Sequence, residues 1–344
     1  MSSHEEFMRR CIGLARKGEG LVAPNPMVGC VILYKGVTAG EGWHEQFGGP
    51  HAEVNAIHNV QNADYLRDAT LYVNLEPCAH FGKTPPCADL IIEKKVPRVV
   101  IGCSDPNPLV KGQGIEKLRK AGIEVITGVL EEECRELNSA FIRFHEKQRP
   151  EIILKWAQTE DGFIDHDRNV HGNSPAKISH PELDKWVHEL RASVDAILVG
   201  TGTALADNPQ LTVRLAEGKN PLRAALDKDL RLPQTLHLFD GSTPTLIFTA
   251  KDADSKKNLE YVKIDFSGDV LQQILFTLYK RNARKLLVEG GAKLLTNFIG
   301  RNLWDEAYVL KGGTVFGSGV PAPAFDISKP VSVSGPGLYF FRNV

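Results

Sequence analysis

The chain has 344 residues, enough for two domains at roughly 150 residues each. Its 41 Lys+Arg against 42 Asp+Glu leave a net charge of −1, which argues against bulk nucleic-acid or anionic-membrane binding as the main task. With 42% hydrophobic and 24% charged residues the composition excludes wholesale disorder, and six cysteines are too dilute for a disulfide scaffold.

No apolar stretch approaches the ~20 residues that cross a bilayer, and Glu5, Glu6, Arg9 and Arg10 stand where a signal peptide would be apolar. A cytoplasmic protein is expected. Phe7, Met8, Cys11, Ile12 and Ala15 repeat at helical spacing, so residues 3–18 read as an opening helix with Cys11 on its core face. A hairpin over 28–34 and 37–42 follows. Helices are then expected near 51–60, 85–95, 113–121 and 130–147, with strands near 69–74, 97–102 and 123–126. Such alternation implies a partly parallel sheet with helices on its faces. The chain turns polar at His145 to Pro150, which places the domain boundary between 1–148 and 150–344. Beyond it, strands near 151–158, 194–200, 222–226, 244–249, 284–288 and 305–311 mix with helices near 181–192, 269–281 and 291–300, a second α/β domain.

His51-Ala52-Glu53 opens a predicted helix, and Pro77-Cys78 and Cys87 follow. One imidazole and two thiolates are donors zinc prefers, and three protein ligands leave the fourth tetrahedral position to water. Glu53, two residues past the histidine, can carry that water's proton without coordinating the metal. Zinc nucleobase deaminases as a class carry H-x-E…P-C-x-x-C; here eight residues separate the cysteines. A closed structural zinc site would need a fourth ligand from Cys103, Cys30, His44 or His80 and would give Glu53 no role.

Laid out together, Asn25-Pro-Met-Val-Gly-Cys30, Gly42-Trp-His44-Glu, Gly49-Pro-His51-Ala-Glu53, Leu75-Glu-Pro-Cys78 and Gly82-Lys83-Thr-Pro-Pro-Cys87 closely resemble the deaminase half of the bifunctional deaminase–reductase family of riboflavin biosynthesis. In that family the long insert between the cysteines is itself a trait. The resemblance implies a cytidine-deaminase-like three-layer α/β/α domain in which His51, Cys78 and Cys87 bind one zinc and Glu53 shuttles the proton. It also implies that Asn25, His44, His80 and Lys83 face a pyrimidine carrying a ribose phosphate.

In the second half, Gly200-Thr-Gly-Thr203 and Glu289-Gly-Gly291-Ala292 sit at strand-to-helix junctions suited to phosphate. The third glycine and the distant acid of a Rossmann fingerprint are missing, so that fold is rejected. Arg191, Arg214 and Arg223 offer guanidinium forks for a substrate phosphate.

Leu154-Lys155-Trp-Ala157, Asp161-Gly, Leu190-Arg191, Asp195 to Thr201, Leu205 to Arg214, Leu222-Arg223 and Val288 to Gly291 are similar, in that order, to the reductase half of the same family, a dihydrofolate-reductase-like α/β domain. The resemblance implies NADPH contacts from Ala157, Thr203, Asp207 and the turn Gly291, Ala292, Lys293, Leu294, Leu295 and Thr296. It implies substrate contacts from Ser174, Arg191, Leu211, Arg214 and Glu289; Lys155 and Asp161 are candidates for polar support where the ribosylamine opens for reduction. Two positions depart from the family: Lys177 where a tryptophan is usual, and Lys228 where a small hydroxyl residue is usual. A silenced reductase is the corresponding alternative.

The expectation is a homo-oligomeric enzyme acting on a small pyrimidine ribotide, with zinc and NADPH and without nucleic-acid or membrane partners. Its competitors are a nucleic-acid base deaminase, which needs a basic groove, and a non-enzymatic zinc-organised interaction protein, which needs no open metal position.

Overall fold

Strands that are apolar on both faces require helices on both sides. The computed structural model describes residues 3–79, 85–107, 110–171 and 175–343, and the chain divides into two units, Met1–Gln148 and Arg149–Val344. In the first, α1 (Ser3–Ala15) leads into β1 (Gly29–Tyr34) and β2 (Val37–Trp43). Then come α2 (Ala52–His58), β3 (Ala69–Leu75), α3 (Cys87–Glu93), β4 (Arg98–Cys103), α4 (Gln113–Lys120), β5 (Glu124–Thr127), α5 (Glu131–Leu137) and α6 (Ser139–Lys147). The sheet order is β2-β1-β3-β4-β5, antiparallel across the first three and parallel across the last three.

Successive strand residues point to opposite faces. Cys30, Ile32, Leu71, Val73, Val99 and Ile101 therefore pack with Ala56, Ile91 and Leu118 of α2, α3 and α4. The intervening Val31, Tyr72 and Val100 pack on the other side with Met8 and Cys11 of α1, Cys134 of α5 and Phe141 of α6. This is the expected α/β/α sandwich. One expectation changes: the single helix over 130–147 is two, interrupted at Asn138, whose φ of −111° and ψ of 28° leave the helical region.

The second unit begins with β6 (Glu151–Gln158), β7 (Phe163–Asp165), α7 (Arg168–His171) and α8 (Leu183–Ala192), followed by β8 (Ala196–Val199), α9 (Thr201–Asp207) and β9 (Leu222–Leu226). It continues through β10 (Thr245–Thr249), β11 (Leu259–Lys263), α10 (Val270–Lys280), β12 (Lys285–Val288), α11 (Ala292–Gly300) and β13 (Glu306–Lys311), and ends in β14 (Val320–Pro321), β15 (Ser332–Ser334) and β16 (Leu338–Arg342). The main sheet runs β11-β10-β9-β8-β12-β6-β13-β16-β15, parallel as far as β13 and antiparallel beyond it. The chain therefore leaves β9, β8, β12 and β6 at one common edge, where an open α/β sheet places its ligands.

A buried ion pair fastens β6 to β13. Arg149 donates to both carboxylate oxygens of Asp305 at 2.5 and 2.9 Å, and Asp305 also accepts the Ile152 N–H at 2.8 Å. Asp305→Asn would leave the Arg149 guanidinium buried without its counter-charge. We expect a loss of about 3–5 kcal/mol, read as a lower urea midpoint.

Candidate active sites

The first site forms where three chain segments end. Gly42 lets α2 lie directly on β2, since a Cβ there would sit 2.4 Å from the Ala56 nitrogen. That seats His51, the residue capping α2, beside Cys78 in the segment after β3 and Cys87 at the start of α3. His51 Nδ1 lies 3.5 Å from Cys78 Sγ and 3.3 Å from Cys87 Sγ, and all three donor atoms fall within 4.8 Å of one another. An ion at ordinary Zn–N and Zn–S distances holds tetrahedral neighbours about 3.6 Å apart, so the donor set fits zinc.

Electrostatics favour the same use. The Cys87 N–H donates to Cys78 Sγ at 3.3 Å, and hydrogen bonds from Cys87 and His51, against burial, bring the Cys78 thiol down to about 4. Burial instead holds Cys11, Cys30 and Cys103 as neutral thiols and raises Cys134 to about 12. Among the described residues, Cys30, Cys103 and His44 are not in the donor group, which stops at three candidate donors.

Glu53 is buried in the first turn of α2, with its pKa raised by burial first and by Cys78 second and held back by His51. His44 stands edge-on to His51 at 5.5 Å between ring centroids. Its Nδ1 lies 2.9 Å from the Pro50 carbonyl, which only accepts, so Nδ1 carries the proton and Nε2 accepts from Asn25 Nδ2 at 3.1 Å. This relay points the Asn25 amide and leaves Oδ1 as its acceptor. His80 and Lys83 lie outside the described residues, as does Ser174.

Asn74 and Asn138 went unnoticed in the sequence. Asn74 Oδ1 accepts the Gly29 N–H at 2.8 Å and its Nδ2 donates to the Met27 carbonyl at 3.1 Å. Asn138 takes the Met27 N–H at 2.8 Å and returns a bond to the Met27 carbonyl at 2.9 Å. Together they fix the turn that carries Asn25. The available signal was an asparagine between Val73 and Leu75 of the mostly apolar strand Ala69–Leu75, a position that reads as buried.

In the second unit a cavity of about 1270 Å³ lies along the sheet edge named above. Lys155, Ala157, Arg191, Thr203, Asp207, Leu211, Glu289 and the turn Gly291 to Leu294 all line it. Gly290 and Gly291 take positive φ values of 98° and 74° and turn the chain from β12 into α11. Glu289 receives two bonds from Arg191, at 2.9 and 2.6 Å, and Lys155 Nζ lies 3.7 Å away. Burial pushes Glu289 up, but Lys155 and Arg191 overcome it and hold the carboxyl at about 2. Burial also lowers the Lys155 pKa, against the pull of Glu289.

Other expected residues are placed differently. Leu295 is in the core and Thr296 is exposed, and neither lines the cavity. Arg214 also stands off it, bonded at 3.0 Å to Gln210 and Thr212. Arg223 is not a phosphate fork: fully buried, it spends its donors on Thr245, the His237 and Thr243 carbonyls and Asp240. Asp161 instead pins a turn, accepting from Thr159 and from the Phe316 and Gly317 N–H groups. Lys177 pairs with Asp184 at 3.2 Å, and Lys228 lies 6.0 Å from the Phe266 ring centroid. The sequence reading also missed Arg168, which lines the cavity and pairs with Asp165 and Asp207.

A family model for the cytidine and deoxycytidylate deaminase zinc-binding region matches residues 1–103, and one for the RibD C-terminal domain matches residues 150–331. The riboflavin biosynthesis protein RibD of Aquifex aeolicus is 41% identical over 92% of this chain and 88% of its own length. That of Synechocystis is 40% identical over 94% and 88%. A crystal structure from Thermotoga maritima, of a diaminohydroxyphosphoribosylaminopyrimidine deaminase/5-amino-6-(5-phosphoribosylamino)uracil reductase, is 41% identical with a TM-score of 0.78, covering 99% of each chain. With both halves matched and this identity along nearly the whole length, the chain belongs to the RibD family of riboflavin biosynthesis proteins.

Proposed function

We propose that the two reactions of this bifunctional deaminase and reductase fall one to each unit. Residues 1–148 would hydrolyse the exocyclic amine of 2,5-diamino-6-ribosylamino-4(3H)-pyrimidinone 5′-phosphate. Residues 150–344 would reduce its ribosyl group to ribityl, giving 5-amino-6-(5-phosphoribitylamino)uracil. When bound, zinc supplies a Lewis acid that activates water at neutral pH, and NADPH supplies the reducing equivalent. His51, Cys78 and Cys87 would hold the metal; the cavity edge from Thr203 to Leu294 would hold the dinucleotide.

Glu53 takes one proton from the attacking water and passes it to the ring nitrogen, then takes the second from the hydroxyl now on the ring carbon and passes it to the amine, which departs as ammonia. Asn25 Oδ1 accepts a ring N–H, with its orientation set by the neutral His44. In the second unit, Lys155 gives a proton to the ribose ring oxygen as the ribosylamine opens to the protonated imine, and Glu289 holds Lys155 and Arg191 in place. A net charge of −1 suits a free ribotide in the cytoplasm better than a nucleic acid.

The observation that carries this reading is the convergence of three zinc donors with a buried carboxylate that is not one of them. Incubating the purified chain with the diaminopyrimidine ribotide should release ammonia without NADPH and form ribityl product only with it. Ribityl product without ammonia, or ammonia without any NADPH oxidation, would contradict the assignment.

A further inference from the structure

Glu76 lies two residues before Cys78, is buried, and belongs to neither set of site residues described above. Its Oε1 accepts the N–H groups of Gly114 at 3.0 Å and Ile115 at 3.2 Å; its Oε2 accepts those of Gly112 at 3.1 Å and Asp105 at 3.2 Å. One carboxylate thus gathers the first turn of α4 and the segment leading to it. The gathered backbone then presses on the chain beside Cys78, because Gly114 sits so close to Pro77 that a Cβ would come 2.0 Å from the Pro77 carbonyl oxygen.

Cys78 is fixed from the opposite side as well. Its carbonyl accepts the Ala88 N–H at 3.1 Å, and its Sγ accepts the Cys87 N–H at 3.3 Å, both from α3. The peptide between β3 and α3 is therefore gripped by α3 on one flank and by the Glu76 clamp on the other. The Glu76 N–H is itself tied to the Cys103 carbonyl at 2.9 Å, so the clamp is anchored to the sheet.

We infer that Glu76 is a positioning residue for the metal ligand Cys78: its four backbone hydrogen bonds seat Pro77 and hold Cys78 Sγ where His51 and Cys87 can share an ion with it. The inference rests on the zinc reading of those three residues. The carboxylate is required because both of its oxygens face donors. A glutamine in the same place would turn an NH₂ group toward two N–H groups, which no rotation of the amide avoids. Groups that orient metal ligands typically contribute about 10- to 100-fold in metal affinity.

The test measures zinc dissociation constants of the full-length chain by competition with a fluorescent chelator, for the wild type, Glu76→Gln, Glu76→Asp and Cys78→Ser. Near-UV circular dichroism and deaminase kcat and KM are followed in parallel. Glu76→Gln should weaken zinc about 10- to 100-fold, with deaminase kcat recovering as zinc is raised to saturation. Glu76→Asp, which keeps both oxygens, should fall between it and the wild type. Wild-type zinc affinity in either variant, whether stability falls or KM rises, overturns the inference. If Glu76→Gln does not fold, the aspartate variant decides by the same criterion. Should Cys78→Ser also leave zinc binding unchanged, the zinc reading itself fails; release of zinc by Cys78→Ser alone would sink only the role of Glu76.

Discussion

Glu53→Gln protein should retain its zinc and deaminate about 10²- to 10⁴-fold more slowly than the wild type. The side chain is buried in the first turn of α2 beside the metal donors without being one of them, so an amide of the same shape leaves the three ligands in place. What the amide cannot do is accept a proton and return it. Burial raises the Glu53 pKa above the usual carboxylate range, which suits a group that must both take and give a proton near neutral pH. Because the ionised form is the one that accepts, wild-type kcat/KM should fall as pH drops through that raised pKa. The acid limb should vanish in the variant. Zinc content by metal analysis checks the first half of the prediction and ammonia release the second. Loss of zinc together with activity would make Glu53 a ligand or a brace.

Glu289→Gln should abolish measurable NADPH oxidation and destabilise the second unit by less than the ~3–5 kcal/mol of a fully buried pair, since it leaves Lys155 and Arg191 as two part-buried cations on the cavity wall facing a neutral amide. The same carboxylate gives stability a pH signature. Its folded pKa of about 2 lies below the unfolded value of 4.5, so its contribution is complete above the unfolded value and is lost as pH falls from there through the folded one. Urea midpoints compared between pH 6 and pH 3 should drop more in the wild type than in Glu289→Gln. Equal drops would show that Glu289 is not held by its two cations.

How far the sequence could be read depended on whether a residue's role was local. The near-continuous apolar runs of β1, β3 and β4 and the helical repeat of α1 are local patterns, and a first sheet covered on both faces follows from them. The grouping of His51, Glu53, Cys78 and Cys87 is the exception: 27 and 36 residues separate the histidine from the two cysteines, yet the grouping was legible because such donors are scarce and each stands in a short motif. Residues that act across the fold were not. Asn138 reaches Met27 over 111 positions, and nothing near either residue announces the contact. The four donors to Glu76 come from segments 29 to 39 residues away. Arginines misled for the same reason: Arg223 and Arg191 look alike in sequence, yet one is consumed by backbone carbonyls and a buried turn while the other faces the cavity. The edge strand β15 and its neighbour β16 escaped because they follow a stretch rich in Gly, Pro and Ser.

The central claim is that one chain carries two separate active sites, one in each unit, and a crossed assay of the two point variants tests it most directly. Glu53→Gln and Glu289→Gln proteins are each given the diaminopyrimidine ribotide and, separately, the already deaminated ribotide with NADPH. Glu53→Gln should release almost no ammonia from the first yet oxidise NADPH with the second at the wild-type rate, and Glu289→Gln should do the reverse. If either substitution silenced both reactions in a protein that remains folded by circular dichroism, the two activities would not reside in separate sites.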